Sequence, residues 1–255
     1  MTEAAFRPID DVGLRLPKGM PEDIAEPFLE YVVGKAGTLR GSAAPMAEPM
    51  AKESPLARLR FVLDIAKQHV LPGTDAIVQE FANAPAKIEC RAGCSFCCHQ
   101  NVDVTIPEAI LIALRLADPE DPRRSAVLSA AEAFAGVEDD ARIALGRPCP
   151  LLIDKRCSVY EDRPIACRSL TSPDAERCDD AMRSLEAGEG VLPIEVYLVL
   201  QFLCNGEQSA MRGICRDVGL QDDIVELTQT VAAILRDETL VERWAKGERV
   251  FTPRD

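Results

Sequence analysis

The stretch Cys90–His99, CRAGCSFCCH, places four cysteines and one of the chain's two histidines side by side. Thiols crowded this way need a chemical reason, and four present themselves: a disulfide knot, a redox switch, a zinc staple or an iron–sulfur cluster. A second set, Cys149, Cys157 and Cys167, follows about fifty residues later. The combined spacing is C-x3-C-x2-C-C and then C-x7-C-x9-C. Short separations let successive thiolates turn toward one centre, as zinc and iron–sulfur sites require. Cys97 and Cys98 are adjacent, and neighbouring side chains diverge. One of them is therefore expected to ligate while the other faces a second metal, a bridging position or the core.

The compartment expected for the chain bears on that choice. The N-terminus, MTEAAFRPIDDVGLRLPKGMPEDI, lacks the basic and apolar regions of a secretory signal. The most apolar run, VLPIEVYLVLQFLC, is short and carries Glu195, so no membrane span is expected. A soluble, bacterial-type cytoplasmic protein follows as the expectation. A reducing compartment disfavours structural disulfides and leaves thiolates free for metal. The net charge of −13 gives no pull toward nucleic acid or an anionic membrane.

With 47% apolar residues and only 5% aromatic ones, the chain can bury a large core and leans toward helix. The fold class expected is mainly α: a helical body with two irregular cysteine-bearing loops converging on a metal or iron–sulfur site, and one or two very short strands at most. Residues 1–53, rich in Pro, Gly, Ala and Met, read as an extended or partly disordered arm with one short helix near PEDIAEPFLEYVV. Residues 54–255 read as a single helical domain with its metal-binding core at 88–170. Ser54-Pro55 marks the first firm helix start, and Pro72-Gly73 is expected to stop that helix before a second begins at TDAIVQEFANA. NVDVT alternates and reads as a strand. Thr105 then caps IPEAILIALRLA, with Glu108 in a capping-box position. Residues 120–145 read as one or two helices, and GRPCPLLIDKRCSVYEDRPIACRS as an irregular loop. Helices resume from Ser172-Pro173, around 193–217 and over QDDIVELTQTVAAILRDETLVERWA.

Seven thiols, Cys90, Cys94, Cys97, Cys98, Cys149, Cys157 and Cys167, are the candidate metal ligands. They exceed the four of a single zinc site, which favours an iron–sulfur cluster, with four irons as one form. From Arg147 to Arg168 there are five basic residues (Arg147, Lys155, Arg156, Arg163, Arg168) against three acidic (Asp154, Glu161, Asp162). In an acidic chain such an island suits the negative charge of a thiolate-bound centre, or a carboxylate or phosphate on a substrate. Arg163 and Arg168 are its candidate cofactor-binding residues. His99 is either a further ligand or a hydrogen-bonded loop residue. Cys178 reads as a small buried residue near the site, and Cys204 and Cys215 as core.

GCSFCCHQNVDVTIPEAILIALRL and CPLLIDKRCSVYEDRPIACR together resemble the CxxCxxCC-type zinc- or iron-chelating domains. The resemblance covers roughly residues 88–170. It departs from the family pattern in having three residues between Cys90 and Cys94 where the family has two. Metal binding is what it implies first. The family includes flagellin lysine-N-methylases, so S-adenosylmethionine and protein methylation enter as a second implication, although no G-x-G-x-x-G stands in the sequence.

Three functions thus stand side by side. One is a metal or iron–sulfur protein supporting modification of a protein partner or small-molecule substrate, with the methylase as one form of it. Another is a zinc-stapled structural or protein-binding module. The last is a thiol redox sensor, disfavoured because vicinal cysteines form strained rings.

Overall fold

The computed structural model describes residues 6–9, 14–17, 22–83, 87–91 and 93–254. Its elements run β1 (Phe6–Ile9), β2 (Leu14–Pro17), α1 (Glu22–Met50), α2 (Pro55–Ile65), α3 (Leu71–Asn83), β3 (Asp103–Thr105), α4 (Ile106–Arg115), α5 (Pro122–Phe134), α6 (Asp139–Ala144), β4 (Leu152–Ile153), β5 (Arg156–Cys157), α7 (Ile165–Ser169), α8 (Ala175–Ala187), α9 (Leu198–Asp217), β6 (Ile224–Glu226), α10 (Leu227–Arg236) and α11 (Thr239–Ala245). The body is helical. Strands are more numerous than the one or two expected, but all are short, in three antiparallel pairs: β1–β2, β3–β6 and β4–β5.

Two helices form the centre. In α4 every residue from Ile106 to Ala113 is buried, so the helix is covered on all sides. Each fully buried Ile there contributes about 1.5–3 kcal/mol of transfer free energy. The apolar run that opens at Val191 leads into α9, which buries Leu200, Phe202, Cys204, Met211, Ile214 and Cys215 and packs against α1, α2, α3 and α7. Cys204 and Cys215 are core residues, as read from their spacing. Helix α10 packs on α4 and α5. Among the described residues no helix is long and apolar enough to cross a membrane.

Three local expectations change. Within the segment read as an extended arm, residues 22–50 form one long helix despite Pro27, Pro45 and Pro49. Packing outweighs the proline penalty there: Ala43 and Ala47 are buried, and α1 runs along α9. Part of the expected arm, residues 1–5, 10–13 and 18–21, lies outside the described residues. Pro72 does not stop the helix begun at Pro55, because a π-helical turn over Ala66–Val70 leads directly into α3. Pro72 has no N–H for the carbonyl four residues back, and a wider turn just before it absorbs that mismatch. The C-terminal segment read as one helix divides into β6, α10 and α11; Asp237 takes extended dihedrals and its carboxylate caps the next turn through the Thr239 N–H at 3.0 Å.

Other boundaries form as read. Ser54 Oγ accepts the Ala57 N–H at 3.3 Å at the start of α2. Asp103–Thr105 pairs with Ile224–Glu226, and Thr105 caps α4.

Candidate metal centre

The first cysteine loop leaves α3 and turns back at Gly93, whose φ of +92° only glycine adopts without strain. The Cys94 N–H closes this turn on the Arg91 carbonyl at 3.0 Å. Phe96–His99 then forms a single 3₁₀ turn whose Phe96 and His99 side chains are buried. The second loop is a tight hairpin: Leu152 faces Cys157, and Asp154 and Lys155 at its tip both have positive φ, 49° and 59°, as a type I′ turn requires. Pro164 opens α7, which carries Cys167.

The loops meet. The Cys149 N–H donates to the Cys98 carbonyl at 2.7 Å. On either side of that bond the buried Arg142 donates to the carbonyls of His99 (3.1 Å) and Arg147 (2.6 Å), with its guanidinium 3.6 Å from the centre of the Phe134 ring. Glu108 extends its capping role into the site. One oxygen accepts from the Thr105 N–H and hydroxyl, and the other from the Ile165 N–H, each at 2.7 Å. It thereby fixes the start of α4 to the start of α7. Burial nonetheless pushes its carboxyl pKa up, against those donors and the nearby Arg168.

The thiols fall into two neighbourhoods. Cys90, Cys94, Cys97 and Cys178 line one small cavity of about 20 Å³, together with Leu170, Thr171, Ser172, Ile194 and Val196. Cys178 comes from α8 and is buried, as its reading as a small apolar residue expects, while its side chain also lines this cavity. The Ser172 N–H donates to Cys90 Sγ at 3.3 Å, and the buried Thr171 hydroxyl has no hydrogen-bond partner. Cys149, Cys157 and Cys167 instead pack against the main core. A turn bonding the Leu152 N–H to the Cys149 carbonyl at 2.9 Å leads into the hairpin that presents Cys157. Cys97 adjoins both neighbourhoods. It sits next to Cys98 in one 3₁₀ turn, and the Cys98 thiol is the leading cause of its raised pKa.

All ten cysteines are free thiols. Burial pushes the Cys94 thiol up to about 12 and Cys149 up to about 11. Cys97 is raised by its bond to Cys98 and by burial, and Cys167 by burial and the surrounding thiols Cys149, Cys97 and Cys157. Cys90 and Cys157 are raised by burial, with the Arg163 charge opposing it. These shifts keep the thiols protonated, and binding a metal would exchange each such proton for a metal–sulfur bond.

The arginines divide. Arg168 is buried, and its guanidinium donates to the carbonyls of Arg163 (2.7 Å) and Glu161 and to the Asp75 carboxylate. Those bonds bind its own loop together and to α3, so Arg168, expected at a cofactor, is engaged by the fold itself. Arg163 stands 4.2 Å over the Tyr160 ring, its buried Nε without a partner. Arg147, Lys155 and Arg156 are exposed. His99 is buried, its Nδ1 3.1 Å from the Ser95 carbonyl and 3.3 Å from that of Phe96, and burial lowers its pKa. Its ring thus serves the 3₁₀ turn.

The four cysteines of the cavity offer sulfur donors, a soft set suited to zinc or to an iron–sulfur centre, beside Thr171 and Ser172. Among the described residues no group of three or more His, Cys, Asp or Glu is arranged to hold a single metal ion. A helical protein with an all-thiol candidate centre is the class these features define. Residues 89–184, over a third of the chain, match the model of the CxxCxxCC family, described as a "putative zinc- or iron-chelating domain". The match takes in all seven candidate ligands and Cys178. No curated protein and no solved structure matches. Neither the fold nor the family match supports S-adenosylmethionine.

Proposed function

We propose that this chain is an iron–sulfur protein whose cluster is held by Cys90, Cys94, Cys97 and Cys178. The cavity they share carries the reading: four thiols, from the first loop and from α8, line one largely apolar space beside an unpartnered hydroxyl. Four thiolates on a tetrahedral zinc, with Zn–S bonds of about 2.3 Å, stand about 3.8 Å from one another. A four-iron cluster takes one thiolate at each corner, and its ligands stand farther apart. Thiols that share a cavity without three of them being arranged for one ion fit the wider set. The Ser172 N–H on Cys90 Sγ and the Thr171 hydroxyl supply donors of the kind that tune a cluster's potential.

One observation favours a second reading. The cavity's volume of about 20 Å³ matches a single water or ion. Inward rotation of the four thiols would then make a zinc staple holding the first loop to α8, in a structural or protein-binding module without chemistry of its own. Anaerobic purification followed by iron, sulfide and zinc analysis decides between them. Iron and sulfide in equal amounts, with broad absorbance near ~400 nm, are expected. Stoichiometric zinc without iron establishes the staple, and a metal-free chain overturns both.

A further inference from the structure

The cations of this acidic chain divide by what holds them. Exposed arginines elsewhere pair with carboxylates: Arg40 with Asp217, Arg91 with Asp179, Arg216 with Asp222 and Arg249 with Asp223. Arg147, Lys155, Arg156 and Arg163 pair with none, although the chain carries 42 acidic residues. Of the three acids in the same stretch, Asp162 is buried and taken by Arg115, which leaves Asp154 and Glu161 against four unpaired cations. Unpaired positive charge gathered at one place in a chain of net charge −13 attracts an anion locally.

The hairpin presents two of these charges. Ile153 faces Arg156 across β4–β5, next to the pair of Leu152 and Cys157. The alternation that turns Cys157 toward the core therefore turns Ile153 and Arg156 outward, and both are exposed. Lys155 sits at the tip with a φ of 59°, a left-handed backbone that lysine adopts only at a cost and glycine adopts freely. Strain of that kind concentrates where a side chain is needed for binding. The Ser158 N–H closes the base of the hairpin on the Leu151 carbonyl at 2.8 Å, and the chain then turns through Tyr160. There the Arg163 guanidinium covers one face of the ring at 4.2 Å, and Tyr160 still stands 60% exposed. The Arg163 charge also acts on the Cys157 thiol, next in sequence to Arg156, which ties the turn to the hairpin.

We propose that the β4–β5 hairpin and Tyr160 form a docking surface for an acidic segment of a partner protein. Lys155 and Arg156 meet its carboxylates. Ile153, 47% exposed, and Tyr160 supply aliphatic and aromatic contact area, the composition of a protein interface. A long polyanion is a poorer match, because the net charge of −13 repels nucleic acid and anionic membrane over the rest of the surface. A short segment feels the local cations, since charges are screened beyond about 8 Å at physiological salt. The proposal goes beyond chelation and holds whether the cavity takes iron or zinc.

The test uses the full chain and a fluorescein-labelled oligoglutamate peptide, read by fluorescence anisotropy at low salt, with metal per chain counted alongside. Saturable binding is expected, weakened about tenfold or more in K155E/R156E and severalfold in Tyr160→Ala. R60E/K67E reverses two cations that are likewise unpaired, on α2 and the turn after it. It controls for net charge and should bind as the unmodified chain does. Lys155→Gly guards against variants that fail to fold: it relieves the left-handed backbone, so thermal stability should hold while binding falls. None of these residues lines the thiol cavity, so metal content should be the same in every variant, which keeps this result separate from that of chelation. Absence of saturable peptide binding, or equal loss in R60E/K67E, overturns the docking surface. Tighter binding of an oligonucleotide or of phosphatidylglycerol vesicles overturns it as well.

Discussion

The Cys149 N–H donates to the Cys98 carbonyl across 2.7 Å, joining the two cysteine-bearing loops by main chain alone. Arg142 guards that junction from behind, with one carbonyl on each loop. Arg142→Ala leaves both carbonyls and the Phe134 face without their cation. We expect it to lower stability by about 2–4 kcal/mol in urea titrations, the cost of breaking a buried charge-assisted pair of bonds. Metal content should fall with it, because both loops lose their fixed separation.

Glu108 offers a test through pH. Its carboxyl is raised by burial, so the folded chain binds its proton more tightly than the unfolded chain does. Stability then falls as pH rises from the unfolded carboxylate value of about 4.3 toward the folded one. Arg168 lies near enough to oppose the shift, and the Thr105 and Ile165 donors also oppose it. Glu108→Gln keeps the shape and removes the titration. Urea midpoints measured at successive pH values should slope less in the variant over that range.

Arg163 and Arg168 should separate cleanly. Arg168→Ala removes bonds to two carbonyls and to Asp75 from a buried position, and about 2–4 kcal/mol of stability should go with it. Arg163→Ala removes a half-buried cation from beside the thiols, with only a ring contact and no hydrogen bond at Nε to lose. Stability should change by about 1 kcal/mol or less, while metal affinity, read by chelator competition, should drop about tenfold or more.

Metal removal should act unevenly. The second loop is held by Glu108, Arg115, Arg123, Arg142 and Arg168, whereas the first leans on a few bonds such as Glu89 N–H to the Ser172 carbonyl at 3.0 Å. Amide exchange after chelation should therefore rise most over 87–98 and least over 149–169.

Much of this was readable from residue order, and the exceptions have identifiable causes. The capping box at Thr105, the strand before it and the core cysteines Cys204 and Cys215 follow from short-range pattern. What local pattern could not carry was long-range pairing. Pro45 and Pro49 argue against helix until α9 is there to bury Ala43 and Ala47. Cys178 was legible as a small buried residue on a helix after the second loop, and it is buried, but only the fold brings it to Cys90, Cys94 and Cys97. Arg168 drew notice as a cation directly after Cys167 in a basic island, and local pattern gave no sign of its ion pair with Asp75, on a helix far earlier in the chain.

X-ray absorption at the metal edge of the chain, purified without air, tests the central claim most directly. An all-sulfur first shell at about 2.3 Å is the predicted result. A shell of oxygen and nitrogen, the mark of metal picked up by surface carboxylates or histidine, would contradict it.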